Sequence, residues 1–239
     1  VTGVQTCALP ICAALGLLMG QIYRRSSGRG WRLRQRSLLL WQQWRAELES
    51  RQHPIPFQAG LLQLALNEAQ HAQQQQLVRE RQAQGYPLQL FSPQQLANLQ
   101  PSCPGGAFGA VFSPADGQLD PLAAMRAFLQ DGQRLGLHTV AAAVEGLDRG
   151  TNPGWTARLN NGRRLACDWL VVSAGLQSAA LLEPLGHARP QAPLLGQALE
   201  LQLPAGAAHS LNWPGSLSWD GINLVPRPGG RLWLGATLE

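Results

Sequence analysis

The sequence predicts an α/β chain, α+β in part, with an incomplete Rossmann-like layer interleaved with an antiparallel sheet. Three observations predict it. Trp169 to Ser173 (WLVVS) is a near-continuous apolar run of the kind buried on both faces of a parallel sheet, and a helix-like stretch follows it. Asp120-Pro121 opens a helix whose apolar residues recur at helical spacing and which stops at Gly136. Gln197 to Leu203, Ile222 to Val225 and Arg231 to Thr237 alternate as antiparallel strands. Mixed βα and hairpin units of this sort suit a doubly wound domain combined with a second, sheet-based one.

The elements follow in order. Val1 to Ile11 resembles the conceptual translation of a sequencing adapter and is set aside from fold reasoning; native sequence is expected from near Cys12. Ala8 to Gly20 is apolar, but no positive charge precedes it, and it is shorter than the ~20 residues a membrane span needs. Leu33 to Ser50 reads as a helix with Leu40, Trp41, Trp44 and Leu48 on one face. Phe57 to Leu66 reads as a strand, and Asn67 to Gln84 as an exposed, Gln-rich helix. Ser92 caps a short helix from Pro93 to Leu99. Gly106 to Phe112 reads as a strand, and Asp116-Gly117 as a turn. In the Asp120 helix the stripe is Leu122, Met125, Phe128, Leu129 and Leu135. Thr139 to Ala143 is expected as a short strand, and Asn160-Asn161-Gly162 as the turn joining Trp155–Leu159 to Arg164–Cys167.

Composition narrows the function classes. The chain has 239 residues, 45% of them hydrophobic and 14% charged, a globular balance rather than a disordered one. Its formal charge is +5, and all nineteen basic residues are Arg. Six of these (Arg24, Arg25, Arg29, Arg32, Arg34, Arg36) share one short stretch, and the remainder of the chain is close to neutral. No aromatic residues interleave there in a stacking pattern, so a solvated face is the reading and no nucleic-acid partner is expected. Cys7, Cys12, Cys103 and Cys167 form no C-x-x-C pair or Cys/His cluster, which speaks against zinc or any other metal and for a reduced, cytoplasmic setting.

The strongest chemical cue is Ala166-Cys-Asp-Trp-Leu-Val-Val-Ser-Ala-Gly-Leu-Gln-Ser178, a strand ending in small residues that lets main-chain N–H groups approach a ligand. This passage resembles the second flavin-contacting strand of the D-amino-acid oxidase/glycine oxidase family. Four other passages are similar to the same family in the same order. They are Ala13-Ala-Leu-Gly-Leu-Leu18, Gly60-Leu-Leu-Gln-Leu-Ala65, Asp116-Gly-Gln-Leu-Asp-Pro121 and Leu224-Val-Pro-Arg-Pro-Gly-Gly-Arg-Leu-Trp-Leu-Gly-Ala-Thr237.

The resemblance implies an FAD-binding domain from residues 12–56 and 116–195, and a substrate domain from 57–115 and 196–239. It implies main-chain cofactor contacts at Leu15, Gly16, Leu17 and Val144, with Ala174 and Gly175 beside the cofactor. Asn223 and Arg227 are the candidates on the substrate side; Arg227 also reads as a structural strand-end residue. Three departures stand out. The G-x-G-x-x-G turn with its acidic residue is absent, the family's carboxylate-gripping arginine would fall beyond Glu239, and Asn223 stands where glycine oxidases often carry a tyrosine. No catalytic acid or base is identified, and His138, His187 and His209 read as surface residues. The activity implied is hydride transfer from the carbon of a small primary or secondary amine or amino acid to flavin, with oxygen or an unidentified carrier as electron acceptor. The 239-residue chain by itself is expected to bind flavin poorly and to be inactive. Homo-oligomerisation is left open. The alternatives are a flavin dehydrogenase passing electrons to a quinone or carrier, and a non-catalytic Arg-rich nucleic-acid-binding or interaction protein.

Overall fold

The computed structural model describes residues 4–5, 14–103, 105–150, 154–187, 189–194, 196–206 and 211–235. Ala13, His209 and residues 236–239 lie outside the described residues, as does all of the adapter-like segment except Val4–Gln5. The chain forms two compact units, Val1–Gly136 with Gly196–Glu239, and Leu137–Leu195.

The first unit is built on a curled mixed sheet. In chain order it contains β1 (Val4–Gln5), β2 (Leu17–Leu18), α1 (Gly28–Ser50), β3 (Phe57–Ala65), α2 (Glu68–Ala83), β4 (Gln89–Phe91), α3 (Pro93–Ala97), β5 (Gly109–Leu119) and α4 (Pro121–Arg134). The order β1-β9-β12-β11-β10-β3-β5-β2 is completed by β9 (Ala198–Gln202), β10 (Ser216–Trp219), β11 (Ile222–Arg227) and β12 (Arg231–Gly235), with β4 also on β5. All pairings are antiparallel except β3 with β10. The sheet is apolar on both faces near its middle. Leu62, Leu64, Ala110, Leu217 and Leu232 bury one side with Leu96, Leu99 and Trp213. Leu61 and Val111 bury the other against Leu77 and Val78 of α2 and Ile22. Each such leucine contributes roughly 1.5–3 kcal/mol of burial.

Local signals account for the helix ends. The Asn67 side chain accepts from the Gln70 N–H, Ser92 and Gln95 form a capping box, and Asp120 accepts from Leu122 and Ala123 with Pro121 at the first position. In α2, Gln74, Leu77, Val78 and Arg81 are buried at helical spacing, so this helix is half-sunk rather than exposed throughout.

The second unit holds the antiparallel meander β6 (Val144–Arg149), β7 (Trp155–Leu159) and β8 (Arg164–Cys167), with the Asn160–Gly162 turn where the sequence places it. After it come 3-10 turns at Gly175–Gln177 and Glu183–Leu185 around α5 (Ser178–Leu182). Trp169 to Ser173 does not form the expected strand; Trp169 is 90% and Val171 86% exposed. A doubly buried strand needs paired neighbours and cover on both faces, and the three strands of this unit pair only with one another, in antiparallel fashion.

Four further expectations are corrected. Thr139–Ala143 is not a strand: the Ala142 N–H folds back onto the Val140 carbonyl, and Ala143 exchanges hydrogen bonds with Asn160, so pairing begins at Val144. Asp116-Gly117 is not a turn but part of β5, because Gly117 pairs with Ala59 of β3 on one side and Leu18 of β2 on the other. In α4 the buried face is Pro121, Ala124, Ala127 and Asp131, while Met125, Phe128, Leu129 and Leu135 are exposed. The small alanines pack in one core with Leu48 of α1 and turn the larger side chains outward. Finally, α1 begins at Gly28 and takes in four of the clustered arginines, all solvated. Among the described residues no helix is long and apolar enough to cross a membrane.

Candidate functional site

The segment after Ala14 is a strap laid across the end of β5. Leu17 and Leu18 pair with Gln118 and Gly117, and the Leu119 N–H donates to the Gly16 carbonyl at 3.0 Å. Gly16 has φ +70°, and a Cβ there would stand 2.1 Å from the Leu119 carbonyl oxygen. Only glycine fits this crossing.

Two buried cations and one buried carboxylate fix the strap. Arg227, at the end of β11, donates from Nη2 to the Leu15 carbonyl (3.0 Å) and from Nη1 to the Leu119 carbonyl (3.3 Å) and Gln118 Oε1. Its guanidinium stacks 4.3 Å from the Trp233 ring centroid. Gln118 in turn donates to Pro226 O and Gln58 Oε1. Further along, the fully buried Asp116 carboxylate accepts from the N–H groups of Gly20 (2.7 Å), Gln21 (2.9 Å) and Ile22 (2.8 Å). The fully buried Arg81 donates to the carbonyls of Gln21 (3.1 Å), Tyr23 (2.9 Å) and Arg25 (3.1 Å), and stacks 4.0 Å from the Trp31 ring centroid. One segment is thus gripped by its N–H groups and by its carbonyls, each by a side chain of complementary charge. Burial lowers Arg81 from its ordinary value and raises Asp116, the latter against the hydrogen bonds it receives.

Beside the strap the sheet carries a polar row. Gln63, Ser218, Asn223 and Gly235 are register partners across β3, β10, β11 and β12. The Asn223 Oδ1 is buried and accepts no hydrogen bond. Next to this row lies a cavity of about 430 Å³, with Gln63 and Ser218 in its wall together with Met19 and Tyr23 of the strap. A volume in this range is typical of small-molecule sites.

The predicted site residues are distributed over both units. Leu15, Gly16 and Leu17 form the strap, and Arg227 is hydrogen-bonded to it. Asn223 lies on the same strand as Arg227. Val144, Ala174 and Gly175 belong to the other unit. Val144 heads β6 opposite Leu159, and the Ala174 N–H donates to Ser178 Oγ at 3.0 Å. Gly175 is exposed, with nothing within 4 Å of where a Cβ would stand. Sequence reasoning missed Arg81, Asp116, Gln118 and Gln74. Arg81 was detectable, since it continues the Gln74-Leu77-Val78 face by one more turn. Strand β10 was also missed, although Asp220-Gly221, both at positive φ, is a hairpin signal.

These features fit a group bound through main-chain atoms. The strap is held by side chains from other elements, which fixes its main chain in place. Among the described residues no three His, Cys, Asp or Glu side chains gather into a metal site.

The model of the DAO family, described as FAD dependent oxidoreductase, matches residues 12–239. A glycine oxidase of Bacillus licheniformis is 28% identical over 148 residues, 59% of this chain and 37% of that protein. The solved glycine oxidase of Geobacillus kaustophilus superposes with a TM-score of 0.81 at 22% identity, covering 95% of this chain and 60% of that one. An iminodiacetate oxidase of Chelativorans sp. BNC1 gives 0.82 at 19% identity, covering 96% and 62%. The L-proline dehydrogenase of P. horikoshii gives 0.69 at 18%, covering 91% and 57%. The chain therefore spans little more than a third of the curated relative and about three fifths of these solved neighbours.

Proposed function

Because the chain belongs to the DAO family of FAD-dependent oxidoreductases, we propose that its protein oxidises the C–N bond of a small primary or secondary amine or amino acid. The observation that carries this reading is the Arg227–Leu15 hydrogen bond. It ties the strand that bears the substrate-side candidate Asn223 to the strap that bears the cofactor-side candidates. FAD, when bound, supplies the hydride acceptor, and the imine left on the substrate is hydrolysed by water.

The residues of this chain bind and orient. Leu15, Gly16 and Leu17 would meet the cofactor through main-chain atoms of the first unit, and Val144, Ala174 and Gly175 are the candidates for such contacts in the second. Asn223 offers an amide that can donate to a carboxylate or accept from an amine. Arg227 acts on the same side by holding the strap, with its Nη1 and Nη2 groups already committed to Leu15, Gln118 and Leu119. No proton transfer is assigned to any side chain. The similarity to glycine oxidase and iminodiacetate oxidase supports amino acids as the substrate class, and the cysteine pattern supports a reduced, cytoplasmic setting.

The test is anaerobic mixing of the FAD-loaded protein with glycine, iminodiacetate, proline and glycerol phosphate. Loss of oxidised-flavin absorbance with one or more of the amines is the expected result. Bleaching by glycerol phosphate alone would overturn the reading. Readmitting oxygen separates an oxidase, which yields stoichiometric peroxide, from a dehydrogenase that needs another carrier.

A further inference from the structure

We propose that the solvent face of the first half of α1 is a docking surface for a bilayer that carries anionic phospholipid headgroups. The proposal goes beyond the oxidation reading and does not depend on it. Arg29, Arg32, Leu33, Arg36 and Leu39 recur at i, i+3, i+4, i+7 and i+10, which places them on one side of the helix, and all five are exposed. The other side is the one that packs: Leu48 is buried, and Trp41 joins it in the core shared with Ala124 and Ala127 of α4. Arg25, just ahead of the helix, is exposed as well.

The charge on this face has no counterpart within the protein. No Asp or Glu occurs between Val1 and Ala46. Among the described residues none of Arg25, Arg29, Arg32 and Arg36 makes an ion pair. Glu47, the first acid along the helix, stands about 16 Å beyond Arg36 at ~1.5 Å per residue, outside the ~8 Å screening length of physiological salt. The helix start adds to the positive field, since Ser27 makes no side-chain cap hydrogen bond and no acid stands in the first turn. Arginines alone fit any polyanion; the two leucines among them select a bilayer. Leu33 is 58% and Leu39 53% exposed, and such side chains enter the boundary between headgroups and acyl chains while guanidiniums stay with the phosphates. A nucleic acid leaves both leucines in water. Trp31, the one aromatic residue from Arg25 to Leu39, is already stacked on Arg81 and offers no free ring to a base.

The experiment is flotation of the purified chain with vesicles of phosphatidylcholine alone and of two parts phosphatidylcholine to one part phosphatidylserine. Binding is expected to the anionic vesicles and not to the neutral ones, and it should weaken as salt is added. An arginine beside an anionic leaflet strengthens binding about five-fold, so replacing Arg29, Arg32 and Arg36 together by Gln should weaken it about a hundred-fold. Lys at the same three positions keeps the charge and should retain binding. Leu33→Gln combined with Leu39→Gln should weaken vesicle binding about ten-fold and leave retention on heparin unchanged. All five positions are exposed, so the far-ultraviolet dichroism of each variant should match that of the parent chain. Equal binding to both kinds of vesicle, no binding to the anionic ones, or anionic binding indifferent to the Gln replacements overturns the proposal. Anionic binding that loses nothing in the leucine variant overturns it too, and a matching affinity for single-stranded RNA would then assign the arginines to nucleic acid. Flavin bleaching by amines is a separate readout, so either reading can fail while the other stands.

Discussion

Arg81 is a guanidinium with no exposed surface, and its three main-chain acceptors all lie in the segment whose N–H groups Asp116 holds. Removing the guanidinium leaves three carbonyls of that segment without their donor, at a cost of about 1–3 kcal/mol for each that stays buried. Arg81→Met should therefore lower the urea-unfolding free energy by that order. Arg81→Lys should recover only part of it, since one ammonium cannot reproduce a planar fork spread over three carbonyls. Asp116 carries a pH signature. Burial holds its folded carboxyl above the ordinary value, so the native chain keeps the proton to a higher pH than the unfolded chain does. Its contribution to stability consequently falls as pH rises from the ordinary carboxylate range through the raised value. Asp116→Asn should flatten that limb in urea titrations at stepped pH; an unchanged slope would show that the carboxyl is ionised throughout. The burial of Arg81 was detectable from helical spacing, whereas the role of Asp116 was not evident from chain order. Asp116-Gly117 has turn composition, and the N–H groups from which the Asp116 carboxylate accepts lie 94 to 96 positions away.

Elements were legible where the cause is local. Caps at Ser92 and Asp120, and the Asn160–Gly162 turn, are short-range chemistry, and the structure has each of them in place. What failed depends on partners distant in sequence. The α4 stripe looked like a buried face, yet the surface that packs with α1 is the alanine face, with Trp41, Trp44 and Phe128 meeting edge to face beside it. An ion pair fastens the same two helices: Arg51 at the end of α1 meets Asp131 at 2.7 Å, and Arg134 meets it at 3.0 Å. Burial would push the Asp131 carboxyl up, but the hydrogen bonds and charges of Arg134 and Arg51 hold it below the ordinary value. A depressed carboxyl stabilises the fold above its unfolded value, and that contribution disappears as pH falls through the folded one. Asp131→Asn should thus remove part of the acid-side loss in thermal midpoint while lowering the midpoint at neutral pH. If the acid limb keeps its full slope, another carboxylate accounts for it.

At the scale of the whole molecule, the family was legible because five short motifs occur in register, although each alone is ordinary strand or turn composition. The candidate site was only partly legible, since the clamp on the strap is made of residues far apart in sequence. The apolar surface gives the last expectation. The first unit exposes Met125, Phe128 and Leu129 on α4, and the second exposes Trp169 and Val171 along one unpaired run, with Leu176 in the 3-10 turn that follows. Exposed apolar surface beyond scattered single residues drives association, and an unpaired extended run adds free N–H and C=O groups for pairing with another copy. The 239-residue chain should therefore self-associate in a concentration-dependent way, more strongly as kosmotropic salt is added. Val171→Lys places a charge in the middle of that run and is expected to reduce the scattering mass without changing the far-ultraviolet dichroism, because Val171 is 86% exposed and contributes little to the fold. Light scattering across a dilution series decides the matter: a chain that is monomeric at every concentration, or an association indifferent to Val171→Lys, would place the sticky surface elsewhere, with the α4 face the next to test through Met125→Lys.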